Sequence, residues 1–143
     1  MKLKIPIEII ELEPESFHLF IEGHINGKPA NMLVDTGASK TVFDLNRISN
    51  FINKRKKKFE SFEKTTTGLG TNSMESHFTN FKKFNIKKLA FVDFKAILLD
   101  MTHVNQSYEM LKMKPIDGVL GSDLLMKYKS VIDYKKHIIS FEY

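Results

Sequence analysis

Residues 32–43 read MLVDTGASKTVF. Three apolar residues lead into Asp35, and a short apolar segment follows the turn. A carboxylate at the end of a buried strand costs free energy unless it is hydrogen-bonded or paired, so Asp35 is a candidate functional residue. Thr36 can hydrogen-bond nearby backbone, and Gly37 permits a sharp turn and a close approach of other groups. The stretch therefore predicts a strand, a tight turn that carries one carboxylate, and a second strand.

A second informative segment lies far downstream, where residues 116–125 read IDGVLGSDLL. It combines an apolar strand ending at Gly121 with Leu124 and Leu125, which suit a short helix. Together the two segments resemble the retropepsin-like aspartic proteases. The signature of that family is apolar-apolar-Asp-Thr-Gly-Ala/Ser, followed later by an apolar-apolar-Gly strand and a short helix. The resemblance covers residues 16–143, nearly the whole chain.

The resemblance implies a fold class that is mainly β, a retropepsin-like closed β-barrel (the acid-protease fold) with short helices. The strand ending at Gly121 is expected to pass beneath the active-site turn. Length and composition suit one domain over residues 1–143, since 42% of the residues are hydrophobic, enough for a core. Pepsin-like enzymes carry two Asp-Thr-Gly turns in a much longer chain, whereas this sequence has one.

The same resemblance implies an aspartic endopeptidase. In such enzymes two carboxylates about 3 Å apart cannot both ionise, so they share a proton. The ionised member takes a proton from water, which attacks the scissile carbonyl, while the protonated member polarises that carbonyl. Asp35 and its counterpart in a homodimer would fill both roles, Thr36 would lock the two turns together, and Gly37 would offer backbone to a polypeptide substrate. No cofactor or metal ion is implied.

Residues 65–71 read TTTGLGT and fall where this family places its flap, a mobile hairpin that closes over the substrate. Glycines allow positive φ and let backbone groups bind an extended peptide. The resemblance thus makes Gly68, Leu69 and Gly70 substrate-binding candidates, together with Ala38. An ordinary glycine hairpin loop is the structural alternative. A phosphate-binding loop is disfavoured because no Lys-Ser/Thr follows and no helical pattern begins.

Periodicity and turn residues predict the strands. Alternation over residues 17–25 indicates a half-buried strand, and Asn26-Gly27 predicts a hairpin into the strand that ends at Asp35. Further strands are predicted at residues 3–12, 59–66, 73–85, 89–92, 96–99, 130–133 and 138–141, with a turn at 93–95.

Three short helices are also expected. Asp44 can cap the first and Thr102 the second, and Pro115 prevents continuation of the second. Their expected positions and apolar residues are 45–51 with Leu45, Ile48 and Phe51; 103–113 with Val104, Tyr108 and Leu111; and 122–128.

The histidines are interpreted as structural. His18 and His24 share one face of a strand but lie too far apart to bind one metal ion, so both are expected to be exposed strand residues. His103 is also interpreted as structural, because the proposed chemistry requires no histidine.

The net charge of +5 is unevenly distributed. Residues 54–88 hold ten lysines and arginines against three glutamates, a net +7, so the rest of the chain sums to −2. Such a block can bind nucleic acid or an acidic partner. A solvated loop and hairpin face is the favoured interpretation, because no recognised aromatic platform is interleaved. Phe59, Phe62, Phe81 and Phe84 are assigned to the core.

The sequence also bears on compartment. It has no cysteine, hence no disulfide or thiolate chemistry. No signal-peptide h-region and no apolar run long enough to span a membrane is found, so a cytoplasmic location is expected.

An alternative function remains open at this point. The fold could serve a catalytically inactive module that acts in protein binding or dimerisation, because fold does not entail function. The intact Asp35, Thr36 and Gly37 favour the active enzyme.

The flap assignment gives a first testable prediction. Replacing Gly68 or Gly70 with valine should reduce peptidase turnover and leave the fold intact, because a β-branched residue resists positive φ. Thr66→Val provides the control for a valine placed in the same segment. Turnover assays with circular dichroism make the comparison, and normal activity in both glycine variants would remove these residues from the site.

Overall fold

The computed structural model describes residues 1–52, 60–64 and 74–143. The elements within these residues are β1 (Lys2–Pro6), β2 (Glu8–Glu13), β3 (Ser16–Ile25), β4 (Lys28–Val34), β5 (Val42–Asp44), a 3-10 helix (Ile48–Asn50), β6 (Glu60–Lys64), β7 (Met74–Ile86), β8 (Leu89–Leu99), α1 (Thr102–Met110), β9 (Gly118–Leu120), α2 (Ser122–Lys127), β10 (Val131–Asp133) and β11 (Ile138–Glu142).

The strands form two sheets. The larger has the order β2-β3-β4-β9-β5-β8-β7-β6, and β3 also pairs with β7, which closes a ring of six strands into a barrel. The smaller has the order β1-β11-β10. The prediction of a mainly β closed barrel with short helices is confirmed.

The hairpin of β3 and β4 follows its turn signal. Asn26 and Gly27 both have positive φ, at 50° and 82°, which a type I′ turn requires. The predicted half-buried strand is more covered than its alternation indicates, because Phe20 on the second face is buried, although Glu22 on that face is exposed. Ile21 packs into the barrel core, whereas Phe20 packs on the other side with Tyr108. Phe17, which shares the face of Ile21 in this alternation, is 54% exposed.

Strand β9 lies between β4 and β5. It runs parallel to β4, with Val34 opposite Leu120, and antiparallel to β5. Gly118 permits this crossing, because an added Cβ would lie 2.7 Å from the Val42 carbonyl oxygen and 2.9 Å from the Phe43 ring. The predicted approach of this segment to the Asp35 turn is present, since β9 pairs with β4 and an added Cβ on Gly121 would lie 2.9 Å from the Ala38 carbonyl oxygen.

The barrel core is centred on Phe43, which is fully buried. Its ring centroid lies 4.9 Å from that of Phe81 and 5.3 Å from that of Phe84, both in edge-on geometry. Assignment of Phe81 and Phe84 to the core is confirmed. The side chains of residues 59 and 62 lie outside the described part.

Two strand predictions are corrected. Residues 89–99 form one continuous strand, not two, because the chain passes Asp93 with φ of 50° and pairing with β7 resumes on both sides. Asp tolerates this conformation better than most residues, so the turn signal at 93–95 marks a local kink. Residues 3–12 form two strands in different sheets, β1 and β2, separated at Ile7.

The helix caps are also corrected. Asp44 is buried at the end of β5 and does not cap a helix, and the 3-10 helix has Arg47 at its N-cap. Thr102 is the first residue of α1, and its N–H donates to Asp100 Oδ1 at 3.0 Å. Hydrogen bonds from Thr102 and Asn46 hold the pKa of Asp100 below its ordinary value.

The expected apolar face of α1 is only partly buried. Tyr108 is buried, while Val104 and Leu111, at the ends of the face, are each 42% exposed.

Several predictions cannot be compared with the structure. The flap candidates Gly68, Leu69 and Gly70 and the basic run at 54–58 lie outside the described residues. Among the residues that are described, no helix has the length and apolar character needed to cross a membrane.

Gly121 should be intolerant of any side chain. An added Cβ would lie 2.6 Å from the backbone carbon and oxygen of Lys40, so Gly121→Ala must displace backbone. We expect a loss of roughly 1–3 kcal/mol in the free energy of unfolding, the usual range for overpacking. Chemical denaturation measures this loss.

Gly23→Ala is the matched control. Its added Cβ would meet the Phe84 ring at 3.3 Å, which a small side-chain shift relieves. An equal or larger loss for Gly23→Ala than for Gly121→Ala would contradict the steric argument.

Candidate active site

The turn after β4 fixes the carboxylate of Asp35. The Asp35 N–H donates to the Leu120 carbonyl at 3.1 Å, which ties the start of the turn to β9. The Gly37 N–H donates to Asp35 Oδ1 at 2.9 Å, and the Ala38 N–H donates to the Asp35 carbonyl at 3.2 Å. The carboxylate therefore has a defined orientation at the end of a buried strand.

The far end of the loop is anchored by α2. The Ser122 N–H donates to the Ala38 carbonyl at 2.7 Å. Asp123 Oδ1 accepts from the Thr41 N–H at 2.9 Å and from the Thr41 hydroxyl at 2.7 Å, and that hydroxyl accepts from the Gly121 N–H at 3.0 Å. Thr41 is buried, so this network holds the loop from beneath.

The structure places the predicted loop residues together. Asp35, Thr36 and Gly37 are exposed and Ala38 is half-buried, all on one turn. Asp35 and Thr36 line a groove of about 290 Å³. The other residues that line this groove are Phe17, His18, Leu19, Leu33, Val34, Ile132 and Tyr134.

His18 links this groove to α1, contrary to the prediction of a simple exposed strand residue. Its Nδ1 lies 3.0 Å from the Tyr108 hydroxyl, and the two rings meet edge-on with centroids 5.8 Å apart. Tyr108 is only 4% exposed. Burial and, secondarily, the negative charge of Asp35 raise the pKa of Tyr108 above its ordinary value of 10.0.

Asp117 has a different environment from Asp35. Its side chain is 7% exposed, Oδ1 lies 2.7 Å from Arg47 Nε, and Oδ2 accepts from the Asn31 N–H at 2.8 Å. Asp117 and Arg47 border a separate cavity of about 660 Å³ that shares no lining residue with the groove at Asp35. This larger cavity has a structural ion pair in its wall and lacks the turn geometry of Asp35.

Comparison with known protein families identifies the chain. The profile of the family described as aspartyl protease matches residues 21–124, which include both Asp35 and Gly121. The chain belongs to the aspartyl protease family. Among curated proteins, none matches the sequence.

Solved structures show the fold of this member of the aspartyl protease family to be retropepsin-like. A retropepsin-like aspartic protease from Rickettsia conorii is 19% identical, with a TM-score of 0.62, and the match covers 100% of this chain and 92% of that one. The retroviral protease-like domain of Ddi1 from Leishmania major is 14% identical, with a TM-score of 0.51 and 87% of each chain covered. The EIAV protease complexed with the inhibitor HBY-793 is 19% identical, with a TM-score of 0.50, and 82% of this chain and 93% of that one covered.

Sequence reasoning missed two contacts around the candidate site, that of Thr41 with Asp123 and that of His18 with Tyr108. The Thr41–Asp123 pair could have been found, because Asp123 directly follows Gly121-Ser122 and acids are common at helix N-termini. The contact of His18 with Tyr108 joins residues 90 positions apart, so no local pattern indicates it.

The environment of Tyr108 predicts an alkaline effect on stability. Its pKa is raised in the folded protein, so the contribution of the protonated phenol is complete below pH 10 and is lost as pH rises through the folded-state pKa. The free energy of unfolding of the wild type should therefore fall more steeply above pH 10 than that of Tyr108→Phe. Denaturation at pH 8 to 11 checks this.

Tyr134→Phe serves as the control, because Tyr134 is 61% exposed. Identical alkaline slopes for the wild type and Tyr108→Phe would argue against the assigned environment of Tyr108.

Proposed function

We propose that residues 1–143 form an aspartic endopeptidase domain that hydrolyses peptide bonds as a homodimer. The observation that carries this proposal is the Asp35 turn. One carboxylate is oriented by the Gly37 N–H at the end of a buried strand and opens onto a groove. Membership of the aspartyl protease family and the retropepsin-like fold support the same chemistry.

The second carboxylate is proposed to come from another copy of the chain. Asp117 is a poor candidate because Arg47 and the Asn31 N–H already satisfy it. Its N–H donates to the Asn31 carbonyl, four residues before Asp35, so it lies roughly 13 Å along β4 from the turn. A two-fold axis between two Asp35 side chains supplies the pair with the same turn from each copy.

The proposed mechanism uses each residue of the turn. The two Asp35 carboxylates share one proton, since close like charges cannot both ionise. The ionised carboxylate removes a proton from water, the water oxygen attacks the scissile carbonyl carbon, and the other carboxyl polarises and protonates the carbonyl oxygen. The tetrahedral diol then collapses, the C–N bond breaks, and the carboxyl that took the proton from water gives a proton to the leaving nitrogen. Thr36 is exposed on the turn and can hydrogen-bond its counterpart, and Gly37 and Ala38 offer backbone groups to the substrate. Gly68, Leu69 and Gly70 are proposed to cover the bound substrate.

The proposed substrate is a polypeptide in extended conformation. Such a chain presents a row of backbone groups that strand-like protein segments can pair with. The proposal places the enzyme in the cytoplasm, as expected from the sequence. An inactive module for protein binding would share the fold and would bind without cleavage, which the Asp35 variant below distinguishes.

Asp35→Asn should abolish cleavage and leave dimerisation intact, because the amide neither shares a proton nor acts as a base. Specific activity of the wild type should fall on dilution through the dimer dissociation constant. Peptide turnover and sedimentation, both measured against concentration, check these expectations. Asp93→Asn, at an exposed aspartate outside the groove, is the matched control and should retain activity.

Mixing provides a further measurement. Excess Asp35→Asn should inhibit the wild type by forming heterodimers with one carboxylate. Full specific activity of a proven monomer, or cleavage by Asp35→Asn, would be fatal to the proposal.

A further inference from the structure

Helix α1 brings a buried phenol to the edge of the active-site groove. The Tyr108 hydroxyl lies 3.0 Å from His18 Nδ1. His18 lines the groove at Asp35 and also borders a cavity of about 240 Å³ against α1, which Ser107 and Leu111 help to form. His18 therefore borders both the groove that Asp35 lines and the cavity against α1.

The phenol is held firmly in place. Its ring meets Phe20 edge-on, with centroids 5.8 Å apart, and belongs to a buried apolar cluster with Met101 and Ile116. Leu33, which lines the groove, packs against the same cluster. A ring enclosed in this way has one orientation for its hydroxyl oxygen, so the contact with His18 is a fixed feature of the groove wall.

The contact also bears on which imidazole nitrogen carries the proton. A phenol hydroxyl can donate a hydrogen bond to an unprotonated imidazole nitrogen, and the 3.0 Å distance to Nδ1 suits that bond. A neutral imidazole that accepts this hydrogen bond at Nδ1 carries its proton at Nε2. Within the described residues, Nε2 of His18 has no hydrogen-bond partner. In that tautomer Nε2–H is a donor on a residue that lines the groove together with Asp35.

The rest of the groove makes this donor distinctive. Most of the wall is apolar, supplied by Phe17, Leu19, Leu33, Val34 and Ile132. Besides the Asp-Thr-Gly turn itself, the polar side chains that line it within the described residues are His18 and Tyr134. An acceptor on the substrate that reaches this wall therefore meets the imidazole N–H in otherwise apolar surroundings, where a hydrogen bond discriminates well.

We propose that His18 is a specificity-determining residue of the groove, with Tyr108 as its positioning residue, and that it favours a carboxamide side chain (Gln or Asn) next to the scissile bond. A carboxylate is disfavoured because the catalytic pair already carries one negative charge. An aliphatic side chain such as Leu is disfavoured because it leaves the donor unpaired. This inference rests on the proposed peptidase function.

The test uses three peptides that differ in one residue flanking the scissile bond, Gln, Glu or Leu, with each side varied in turn. For the wild type, kcat/KM should be greatest for Gln. The Gln-over-Leu ratio should fall roughly threefold to tenfold in His18→Phe, which has no donor, and in Tyr108→Phe, which releases the imidazole. His18→Gln should restore the preference in part, since its amide can occupy the place of Nε2–H. Tyr128→Phe, in a tyrosine outside the groove, should keep the wild-type ratio.

A spectroscopic readout tests the same contact without turnover. Imidazole ¹⁵N NMR of the wild type should show His18 protonated at Nε2, and Tyr108→Phe should show a mixture of tautomers. Protonation of neutral His18 at Nδ1 in the wild type overturns the inference. This measurement does not depend on whether the His18→Phe variant folds.

The outcomes separate the two proposals. Cleavage that depends on Asp35, combined with unchanged peptide preference in Tyr108→Phe and His18→Phe, overturns the inference and leaves the peptidase proposal standing. Absence of Asp35-dependent cleavage from the wild type overturns the peptidase proposal and the inference with it.

Discussion

The close approach of the segment 118–121 to the Asp35 loop is the constraint on which the rest of the site depends. The Leu120 carbonyl accepts the Asp35 N–H, and the Ser122 N–H reaches the Ala38 carbonyl at 2.7 Å. These bonds are possible because Gly121 has no Cβ, which would otherwise lie 2.6 Å from the Lys40 backbone. Backbone cannot move aside as a side-chain tip can, so the position of the carboxylate is tied to one glycine 86 residues away in sequence.

The consequence of this anchoring is an exposed turn that rests on buried, hydrogen-bonded residues. Burial rises from the loop downward, since Asp35 and Thr36 are exposed while Thr41 and Gly121 are buried. Beneath the loop Thr41 is paired with Asp123, and farther along β4 Asp117 is paired with Arg47. The Asp35 carboxylate thus lies at the surface, where the proposed second copy would have to meet it.

Sequence patterns predicted most of the barrel strands and the Asp35 turn, because the signals for them are local. Asn26-Gly27 and the apolar segment before Asp35 are local signals, and each specifies its own backbone conformation. The wrong predictions concern residues whose conformation or burial is determined by tertiary contacts. Asp93 signals a turn, yet pairing with β7 keeps the strand continuous. Asp44 suits a helix cap, but it is buried, and the Met101 N–H and the Asn105 side-chain amide donate to its carboxylate. No pattern within a few residues contains that information.

Helix α1 illustrates the same limit at the site itself. Its apolar face predicted Tyr108 as a core residue, and Tyr108 is indeed buried. The periodicity does not indicate which segment α1 packs against. Asn105 bonds to Asp44 and to both backbone groups of Ile116, which fixes the helix over β5 and the start of β9. With the helix fixed there, Tyr108 reaches His18 on β3, so a helix that contributes no residue to the Asp-Thr-Gly turn shapes the wall of the groove beside it.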